Sequence, residues 1–388
     1  IALAHYLLVG EARGCRPTPF FDPDHARAAH TGPAGTSVFA CFLAAGATGP
    51  AAAEFDADWY ARQGGWSAAS GLSPWQHYRR YGLPALKDPS PDVSIAFVLT
   101  AYHKRPGKLA RTLMGVFARR SPPSNRSLPL SRRALTENQD RFRQQIAFEV
   151  VAARADAGHA DLVFVQTNGR HPADLHRADR PFDLMLNYYS EPAGPAPDAD
   201  YVIRQNGTKV TAIDLLLKRA PEFLTRYERV LFLDDDVEIS AAAIGQLFSV
   251  MAQEHLHLAQ PALTADSSSH HRVLTVAEGS QRCRQVSAVE IMMPALSREA
   301  IEAVGPLFGA GVSGYGIDFL LGKAVSDRFG AAVAVVDAAV ARHAAPVDLG
   351  NGPFYRLLAQ FGLDPHVEMW TLIAEYGLMR TIVAVETP

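Results

Sequence analysis

Hydrophobic and polar residues follow two different patterns on either side of the Pro-rich segment Lys87–Pro91. After this segment, short β-branched and apolar runs alternate with stretches of helical character, which predicts a mainly parallel sheet covered by helices on both faces. Helices are predicted at Phe142–Arg154, Ala212–Lys218 and Ala241–Gln253. Strands are predicted at Val93–Thr100, Asp161–Gln166, Asp183–Tyr188, Tyr201–Arg204, Arg229–Leu233, Leu256–Gln260, Val286–Met293 and Ala332–Val336.

The segment before Lys87 carries a degenerate repeat. Aromatic pairs or their equivalents recur at positions 5, 41 and 77, and glycine recurs at 10, 46 and 82, each with a step of 36. Self-similarity at this period predicts small stacked helical units, each with one helix capped by aspartate and a second that ends at glycine. We interpret residues 1–91 as a spacer or docking module, with a glycan- or partner-binding module as the alternative. The alternative draws on the aromatic residues Trp59, Tyr60, Trp66, Trp75, Tyr78 and Tyr81.

Composition narrows the class of protein. The chain has 388 residues, of which 48% are hydrophobic and 20% are charged, values typical of a packed globular protein. A net charge of −3 gives no basic surface for nucleic acid or for an anionic membrane. The longest apolar stretch, Ala331–Ala341, is interrupted by Asp337 and is too short to span a bilayer. Three cysteines without metal-ligand spacing favour a reducing compartment, so we expect a cytoplasmic protein.

The strongest local signal is an apolar run, Val230–Leu233, that leads directly into Asp234, Asp235 and Asp236. The run predicts a buried strand, and because side chains alternate along a strand, Asp234 and Asp236 are expected on one side of it. Two carboxylates about 4 Å apart repel by about 4 kcal/mol at an effective dielectric near 20, so a proton, a lysine or a metal ion must neutralise them. Hard divalent cations prefer oxygen ligands and often bridge to substrate phosphates, which is the arrangement a nucleotide-sugar transferase needs.

Three alternatives stay open for the acidic turn. The carboxylates could cap the helix Ala241–Gln253. A phosphatase of the aspartyl-phosphate type also places Asp-x-Asp after an apolar strand, with Asp234 as the nucleophile and Thr264 and Lys323 as candidate partners. A catalytically inactive glycan-binding protein would keep the same fold without the reaction.

Four further segments accompany the acidic turn: His257–Leu263, Val289–Arg298, Gly314–Phe319 and Val335–Asp337, the last followed by His343. In this order and spacing they resemble a plant and bacterial family labelled "lysine-ketoglutarate reductase trans-splicing related", over roughly residues 200–350. That family looks like the metal-dependent glycosyltransferases with a nucleotide-sugar-binding GT-A fold. The N-terminal repeats are similar to modules found beside bacterial polysaccharide-making enzymes, which suggests a location peripheral to the membrane with such machinery.

The resemblance implies a metal centre at the acidic turn. Asp234 and Asp236 match the Asp-x-Asp site for a metal and a diphosphate, and Asp235 is expected beside the same donor. His343 looks like the late histidine that often completes the metal site. The expected cofactor is Mn2+ or Mg2+, since carboxylate oxygens suit these ions.

The resemblance also implies the remaining roles. The Gly314–Asp318 segment looks like the Gly-Trp-Gly-x-Asp type that supplies a base in several sugar transferases, with Tyr315 in place of Trp. Asp318 would take the proton from the acceptor hydroxyl, which favours inversion at the anomeric carbon. Glu290 and Asp337 are expected to line the pocket, with Glu290 in contact with the donor.

From the residues alone, each of these positions has a structural alternative. Asp318 could cap a helix, His343 could be a half-buried histidine, and Glu290 could form a salt bridge with Arg298 or Arg284, since a buried carboxylate is costly unpaired. Lys209, with the residues at 207 and 208, could offer an ammonium and backbone N–H groups to a phosphate, or could form a plain surface turn.

Together these observations predict a helical repeat module over residues 1–91, a GT-A-like glycosyltransferase domain over 92–345 and a C-terminal extension over 346–388. The expected reaction transfers a sugar from a nucleotide-diphosphate sugar to a hydroxyl of a glycan or related acceptor. The Ser267–His271 loop is interpreted as a flexible edge of the pocket. The repeats are expected to contact a protein or a glycan.

Overall fold

The computed structural model describes residues 5–33, 35–63, 65–102, 113–114, 128–154, 158–169, 175, 180–190, 199–269, 271–277, 279, 282–343 and 352–385. The chain divides into two compact units. The first contains residues 1–138 and 359–370, and the second contains residues 139–358 and 371–388. The division predicted from the sequence, at residues 91 and 345, stays a prediction.

Short helices make up the part of the first unit that holds the sequence repeat. They are α1 (Pro23–Ala26), α2 (Val38–Ala44), α3 (Ala57–Arg62), α4 (Pro74–His77) and α5 (Ile95–Ala101), with single 3-10 or π-helical turns at Tyr6–Gly10, Glu11–Arg13, Ala68–Ser70 and Tyr78–Gly82. α1 and α3 begin at aspartates: Asp22 Oδ1 accepts the N–H of Asp24 at 2.9 Å, and Asp56 Oδ1 accepts that of Trp59 at 2.8 Å. The predicted Asp-capped helices of the repeat are therefore confirmed.

Aromatic side chains form much of the core of the first unit. Tyr60, Trp75 and Tyr78 are each at most 3% exposed, and the rings of Tyr60 and Tyr78 meet edge to face at 5.1 Å. The Trp75 indole N–H donates to the carbonyl of Phe20 at 2.8 Å. These three rings are core residues, whereas Tyr81 is 49% exposed. Burial of each large ring contributes roughly 1.5–3 kcal/mol to the stability of the unit.

The second unit is built on a ten-stranded sheet in the described part of the chain. The strands are β1 (Phe148–Ala153), β2 (Asp161–Thr167), β3 (Asp183–Tyr188), β4 (Tyr201–Gln205), β5 (Arg229–Asp234), β6 (Val237–Glu238), β7 (Leu258–Leu263), β8 (Arg284–Gln285), β9 (Ala295–Ser297) and β10 (Val333–His343). Their order is β1-β4-β3-β2-β5-β9-β7-β10-β6, with β8 also paired to β10. The neighbouring pairs among β4, β3, β2 and β5 are parallel, as is β7 with β10. β9 is antiparallel to both of its neighbours.

The helices in this part of the chain are α6 (Arg132–Gln144) before β1, α7 (Lys209–Arg219) and α8 (Glu222–Thr225) after β4, α9 (Ala241–Gln253) after β6, α10 (Arg298–Val304) and α11 (Ile317–Phe329) after β9, and α12 (Pro353–Ala359) and α13 (Pro365–Tyr376) after β10, with 3-10 turns at Arg272–Leu274 and Gly305–Ala310. Strands β3 and β7 are buried along their whole length, as expected when both faces of a sheet are covered. This mainly parallel sheet flanked by helices confirms the predicted fold class. No helix in the described residues has the length and apolar character needed to cross a membrane.

The predicted strand Val93–Thr100 is wrong, because these residues belong mostly to helix α5. Ser94 Oγ accepts the N–H of Phe97 at 3.3 Å, and Asp88 Oδ1 accepts the N–H of Ile95 at 2.7 Å. Both bonds satisfy N–H groups that are free at the start of a helix. An apolar run of this length does not by itself distinguish a strand from a buried helix.

Two other predicted elements are also wrong in part. The predicted helix Phe142–Arg154 ends at Gln144, and strand β1 follows at Phe148–Ala153, paired antiparallel with β4. Most of the predicted strand Val286–Met293 is irregular and lies between β8 and β9. That irregular segment holds Glu290 and takes part in the site described next.

Candidate active site

The acidic turn lies at the carboxyl end of β5, near the middle of the sheet. On one side, Gln166 of β2 is the register partner of Asp234. On the other side, the N–H of Phe232 donates to Pro294 O at 2.9 Å, and that of Asp234 donates to Met292 O at 3.0 Å. Ligands of open α/β sheets bind at the carboxyl ends of the strands. The backbone is thus held on both sides up to the point where the carboxylates leave the sheet.

Asp234 forms an ion pair with a buried lysine. Lys209 Nζ lies 2.8 Å from Asp234 Oδ1 and donates to Met292 O at 2.9 Å, and the lysine is only 7% exposed. Burial lowers the pKa of Lys209 and raises the pKa of Asp234, while the attraction between the two charges opposes both shifts. The sequence suggested a lysine as one way to neutralise the triplet, but it did not connect Lys209 with Asp234.

The backbone N–H groups before α7 are bound within the turn itself. The N–H of Gly207 donates to Gln205 Oε1 at 2.8 Å, and that of Thr208 donates to Thr211 Oγ1 at 2.9 Å. Thr208 Oγ1 in turn donates to Val312 O at 2.6 Å. The predicted cradle of N–H groups for a phosphate is therefore already satisfied, and the Lys209 ammonium is the part of this turn that faces the acidic residues.

Asp235 points toward the ends of the neighbouring strands. Its Oδ2 accepts the N–H of Asn168, which follows β2, at 3.1 Å. Burial, with the charges of Asp234 and Asp236 adding to it, raises the pKa of Asp235 to about 6. Tyr189, which follows β3, has its pKa raised to about 12 by burial and then by the same three carboxylates. Tyr189 is thus a neighbour of the site that sequence reasoning missed.

Asp236 is paired with His343, the last residue of β10. His343 Nε2 lies 3.2 Å from Asp236 Oδ2, and Nδ1 lies 2.7 Å from Ser268 O. Because a carbonyl only accepts, Nδ1 carries a hydrogen, and Nε2 is left to face the carboxylate. The hydrogen bond to Asp236 raises the pKa of His343 against the effect of burial. Burial opposes ionisation of Asp236, but the bond and charge of His343 outweigh it and lower the pKa of Asp236.

The serines at 267–269 are anchored to this pair, whereas the sequence suggested a flexible loop. The N–H of His343 donates to Ser267 Oγ at 3.2 Å, and the N–H of Ser268 donates to His343 O at 3.1 Å. Ser269 Oγ donates to Glu290 Oε1 at 2.8 Å. The loop therefore fixes the orientation of both His343 and Glu290. His270, the next residue, lies outside the described residues.

The donor groups of Asp236 and His343 suit a divalent cation. A histidine whose second ring nitrogen donates to a carbonyl is the usual arrangement of a metal-ligating histidine. In the residues that the structure describes, no group of three or more His, Cys, Asp or Glu side chains is arranged to hold an ion. Asp236 and His343 are thus two donor groups of the kinds that divalent cations accept.

Glu290 is buried and only partly bonded. The side chain is 9% exposed, its Oε1 accepts from Ser269, and its backbone N–H donates to Gln260 Oε1 at 2.7 Å. Its Oε2 has no hydrogen-bond partner among the described residues. Burial raises the pKa of Glu290. The salt bridge considered from the sequence is not formed, because Arg298 donates to backbone carbonyls and Arg284 is paired elsewhere.

Asp337 is the partner of Arg284. The guanidinium binds both carboxylate oxygens, with Nε 2.8 Å from Oδ2 and Nη2 2.9 Å from Oδ1. The same arginine donates to the carbonyls of Val273 and Thr275, and the N–H of Ala277 donates to Asp337 Oδ1. Asp337 is therefore an internal anchor for the 273–277 segment and not the pocket-lining residue that the resemblance implied.

Asp318 lies in the first turn of α11, after two glycines with positive φ. Gly314 (φ 89°) and Gly316 (φ 83°) adopt backbone conformations that L side chains rarely take. A Cβ at Gly314 would be 3.5 Å from Ile291, the neighbour of Glu290. Asp318 Oδ1 accepts the N–H of Phe319 at 2.9 Å, so the capping alternative describes one of its contacts. Burial raises the pKa of Asp318 to about 7, with the charge of Glu290 adding to the shift.

Tyr315, between these glycines, contacts a helix of the predicted C-terminal extension. Its ring stacks on Phe354 with centroids 6.4 Å apart, and its hydroxyl lies 2.6 Å from that of Tyr355. All three rings are partly exposed. Residues of α12 therefore lie beside the Asp318 segment, a contact that the sequence analysis did not predict.

Met292 O connects the two sides of the site, since it accepts from both Lys209 Nζ and the N–H of Asp234. The charges of Lys209 and Asp234 act on each other's pKa, Asp236 raises the pKa of His343, and the charge of Glu290 raises the pKa of Asp318. The fold brings together seven residues that the sequence singled out: Lys209, Asp234, Asp235, Asp236, Glu290, Asp318 and His343. Their individual roles remain predictions.

Comparison with known proteins gives one family match. The profile of a family described as a protein of unknown function, DUF707, matches residues 215–360. This range runs from α7 past the acidic turn, Glu290, Asp318 and His343, and it covers less than half of the chain. The trans-splicing label inferred from the sequence stays a prediction. No curated protein matches the chain.

Solved structures give weak similarities. Glucosyl-3-phosphoglycerate synthase from Mycobacterium tuberculosis, solved with Mn2+, uridine diphosphate and glucosyl-3-phosphoglycerate, is 15% identical, with a TM-score of 0.31 over 54% of this chain and 82% of that one. S. aureus TarS 1-349 is 12% identical, with a TM-score of 0.33 over 52% and 70% of the two chains. GalNAc-T7, solved with UDP, GalNAc and Mn2+, is 10% identical, with a TM-score of 0.36 over 56% and 55%. These values are too low to carry an activity, a substrate or a metal over to this chain.

Proposed function

We propose that the chain is a glycosyltransferase that depends on Mn2+ or Mg2+ and moves a sugar from a nucleotide-diphosphate sugar to a hydroxyl of a glycan or related acceptor. One observation supports this above the others: at the carboxyl end of β5, a buried ammonium lies beside two facing metal-type donors. Lys209 supplies the ammonium, and Asp236 and His343 supply the donors. Lys209 would offer a positive charge to the diphosphate, and Asp236 and His343 would hold the cation.

The chain's own residues bind and orient the donor. Lys209 is held in place by Asp234 and by the carbonyl of Met292, so its ammonium is fixed before a substrate arrives. Ser268 holds the His343 ring so that Nε2 faces Asp236. Asp236 and His343 would hold the ion, and Asp234 would keep the Lys209 ammonium beside it. A bound divalent cation supplies neutralisation of the negative charge that grows on the diphosphate as it leaves.

Asp318 is the proposed base. With a pKa raised to about 7, its carboxylate can take a proton from an acceptor hydroxyl near neutral pH. The acceptor oxygen forms a bond to the anomeric carbon as the bond from that carbon to the diphosphate breaks, and the hydroxyl proton goes to Asp318. Attack from the face opposite the leaving group inverts the configuration of that carbon.

The phosphatase alternative gains no support from its proposed partners. Lys323 Nζ is 2.6 Å from Asp327 on the surface of α11, and Thr264 Oγ1 is 2.9 Å from Ser267 Oγ. The inactive glycan-binding alternative makes a different prediction, because glycan binding would then survive Asp236→Ala unchanged. A protein- or glycan-binding role for the N-terminal repeats remains a prediction from the sequence.

Thermal unfolding tests the proposal directly, since a ligand that binds only the native state raises its stability by about 2.7 kcal/mol at 100 times its dissociation constant. We expect one of UDP, GDP, ADP, CDP or TDP, at millimolar concentration with Mn2+, to raise the melting temperature by several degrees. Chelator should abolish the shift. Asp236→Asn should lose it, whereas Asp327→Asn, the same change on an exposed residue, should keep it. A shift that is unaffected by chelator and by Asp236→Asn would refute the metal site, and no shift with any nucleotide would refute the function.

A further inference from the structure

The free oxygen of Glu290 is the feature of the site that the proposed function leaves unexplained. The side chain is 9% exposed, and Oε2 has no partner in the described part of the chain, although Oε1 is bonded to Ser269. Buried carboxylate oxygens in folded proteins are nearly always hydrogen-bonded, so an open one calls for a reason.

The surroundings of Glu290 place it inside the site. Two residues further along the chain, Met292 O binds both Lys209 and Asp234. Ile291 faces Gly314, at the start of the segment that carries Asp318. The Ser269 hydroxyl that holds Glu290 belongs to the loop that also holds His343. Glu290 is therefore linked through Met292 and Ser269 to the residues proposed to bind the diphosphate, and its neighbour Ile291 meets the segment that carries the proposed base, a position suited to contact with the transferred sugar.

The charge of this region decides what can bind there. Glu290 and Asp318 are both acidic, and the arginines nearest to Glu290 in sequence bind elsewhere: Arg284 binds Asp337, and Arg298 binds backbone carbonyls. A carboxylate accepts hydrogen bonds and repels other anions. A sugar hydroxyl can donate a hydrogen bond to Oε2, whereas a negatively charged group would be repelled.

We infer that Glu290 is a specificity-determining residue that accepts a hydroxyl of the transferred sugar, so that the donor carries a neutral sugar and its uronic acid counterpart is excluded. This inference rests on the proposed function and narrows it to one class of donor. Repulsion between the Glu290 carboxylate and the carboxylate of a uronic acid about 4–5 Å away, in a partly buried site, would weaken binding of the uronic acid donor on the order of 100-fold or more.

The test compares matched donors: UDP-glucose with UDP-glucuronic acid, UDP-galactose with UDP-galacturonic acid, and GDP-mannose with GDP-mannuronic acid. Binding with Mn2+ is measured by calorimetry at pH 8.5, on the alkaline side because burial raises the pKa of the Glu290 carboxyl. We expect at least one neutral donor to bind on the order of 100-fold more tightly than its uronic acid partner. Glu290→Gln keeps the shape of the side chain and removes the charge, so it should reduce that ratio to below about 10. Glu302→Gln, the same change on an exposed residue of α10, should leave the ratio unchanged.

Three outcomes would overturn the inference. Equal binding of a neutral donor and its uronic acid by the wild-type protein would refute it while leaving the transferase assignment intact, and this comparison needs no variant. A ratio that persists in a folded Glu290→Gln protein would assign the discrimination to another residue. If no nucleotide sugar binds with or without Mn2+, the proposed function fails, and the inference fails with it.

Discussion

Replacing Asp318 with asparagine should stabilise the protein at alkaline pH while it abolishes transfer. Burial raises the pKa of Asp318 from 3.8 to about 7, so the folded state resists ionisation of this carboxyl. Between these two values the folded state binds the proton that the unfolded chain has lost, and stability therefore falls as pH rises through this window. The asparagine side chain cannot ionise, and it keeps an oxygen that can accept the N–H of Phe319.

The size of the expected stabilisation follows from how far the pKa of Asp318 is raised. The difference between a pKa of 3.8 and one of about 7, at about 1.4 kcal/mol for each tenfold change in the ionisation constant, gives a ceiling of about 4 kcal/mol for the cost of ionising Asp318. Solvent screening at the partly exposed carboxyl lowers the expected gain in the variant to about 2 kcal/mol. For a unit of this size, that gain corresponds to a rise of about 4–8 °C in melting temperature at pH 8.5. Near pH 4, where the wild-type residue is protonated as well, the two proteins should melt together.

Circular dichroism melts at pH 4 and pH 8.5 would measure this difference, and Asp327→Asn in the same helix is the matched control. Asp327 is exposed and paired with Lys323, so its replacement should change the melting temperature by less than about 1 °C at either pH. The reasoning is refuted if Asp318→Asn is no more stable than the wild type at pH 8.5. It is also refuted if the gain is the same at both pH values, because the effect would then not come from ionisation.

Two further predictions concern charge pairs. Arg284→Met leaves the 5%-exposed carboxylate of Asp337 without its partner and should cost about 3–5 kcal/mol of stability, measured by thermal or urea unfolding. Arg282→Met, which breaks a pair that is over 40% exposed on both sides, should cost less than about 1 kcal/mol, and equal losses would contradict the argument. Asp236→Asn should lower the pKa of His343, since Asp236 is the main cause of its raised value, and NMR titration of the metal-free protein would detect the change. An unchanged titration curve would show that the pair does not form.

The elements that the sequence predicted well are those with a strong local pattern. The apolar run before Asp234 appears as β5, and Ala241–Gln253 is the observed helix α9, with Ser240 as its cap. The aspartate caps at Asp22 and Asp56 could also be predicted, because a cap and its helix are adjacent in the sequence. In each case the signal and the structure that it specifies lie within a few residues of each other.

The contacts that assemble the site have no such local signal. Lys209 meets Asp234 across 25 residues, and His343 meets Ser268 across 75. These contacts join residues far apart in the sequence, so no periodic pattern of residue types predicts them. They depend on the order of the strands in the sheet. The irregular course of the Glu290 segment was missed for a related reason: its apolar residues favour a strand, while its bonds to Gln260 and to the end of β5 hold it out of the regular ladder.

The hydrogen bonds of Glu11 in the first unit limit where the protein can be shortened. Its buried carboxylate accepts the N–H groups of Val38 and Phe39, and also the hydroxyls of Tyr6 and Ser37. One glutamate near the amino end thereby serves as the second cap of α2, a helix that belongs to the following repeat. A deletion that removes residues 1–20 to simplify crystallisation would therefore leave the N–H groups of Val38 and Phe39 without this acceptor.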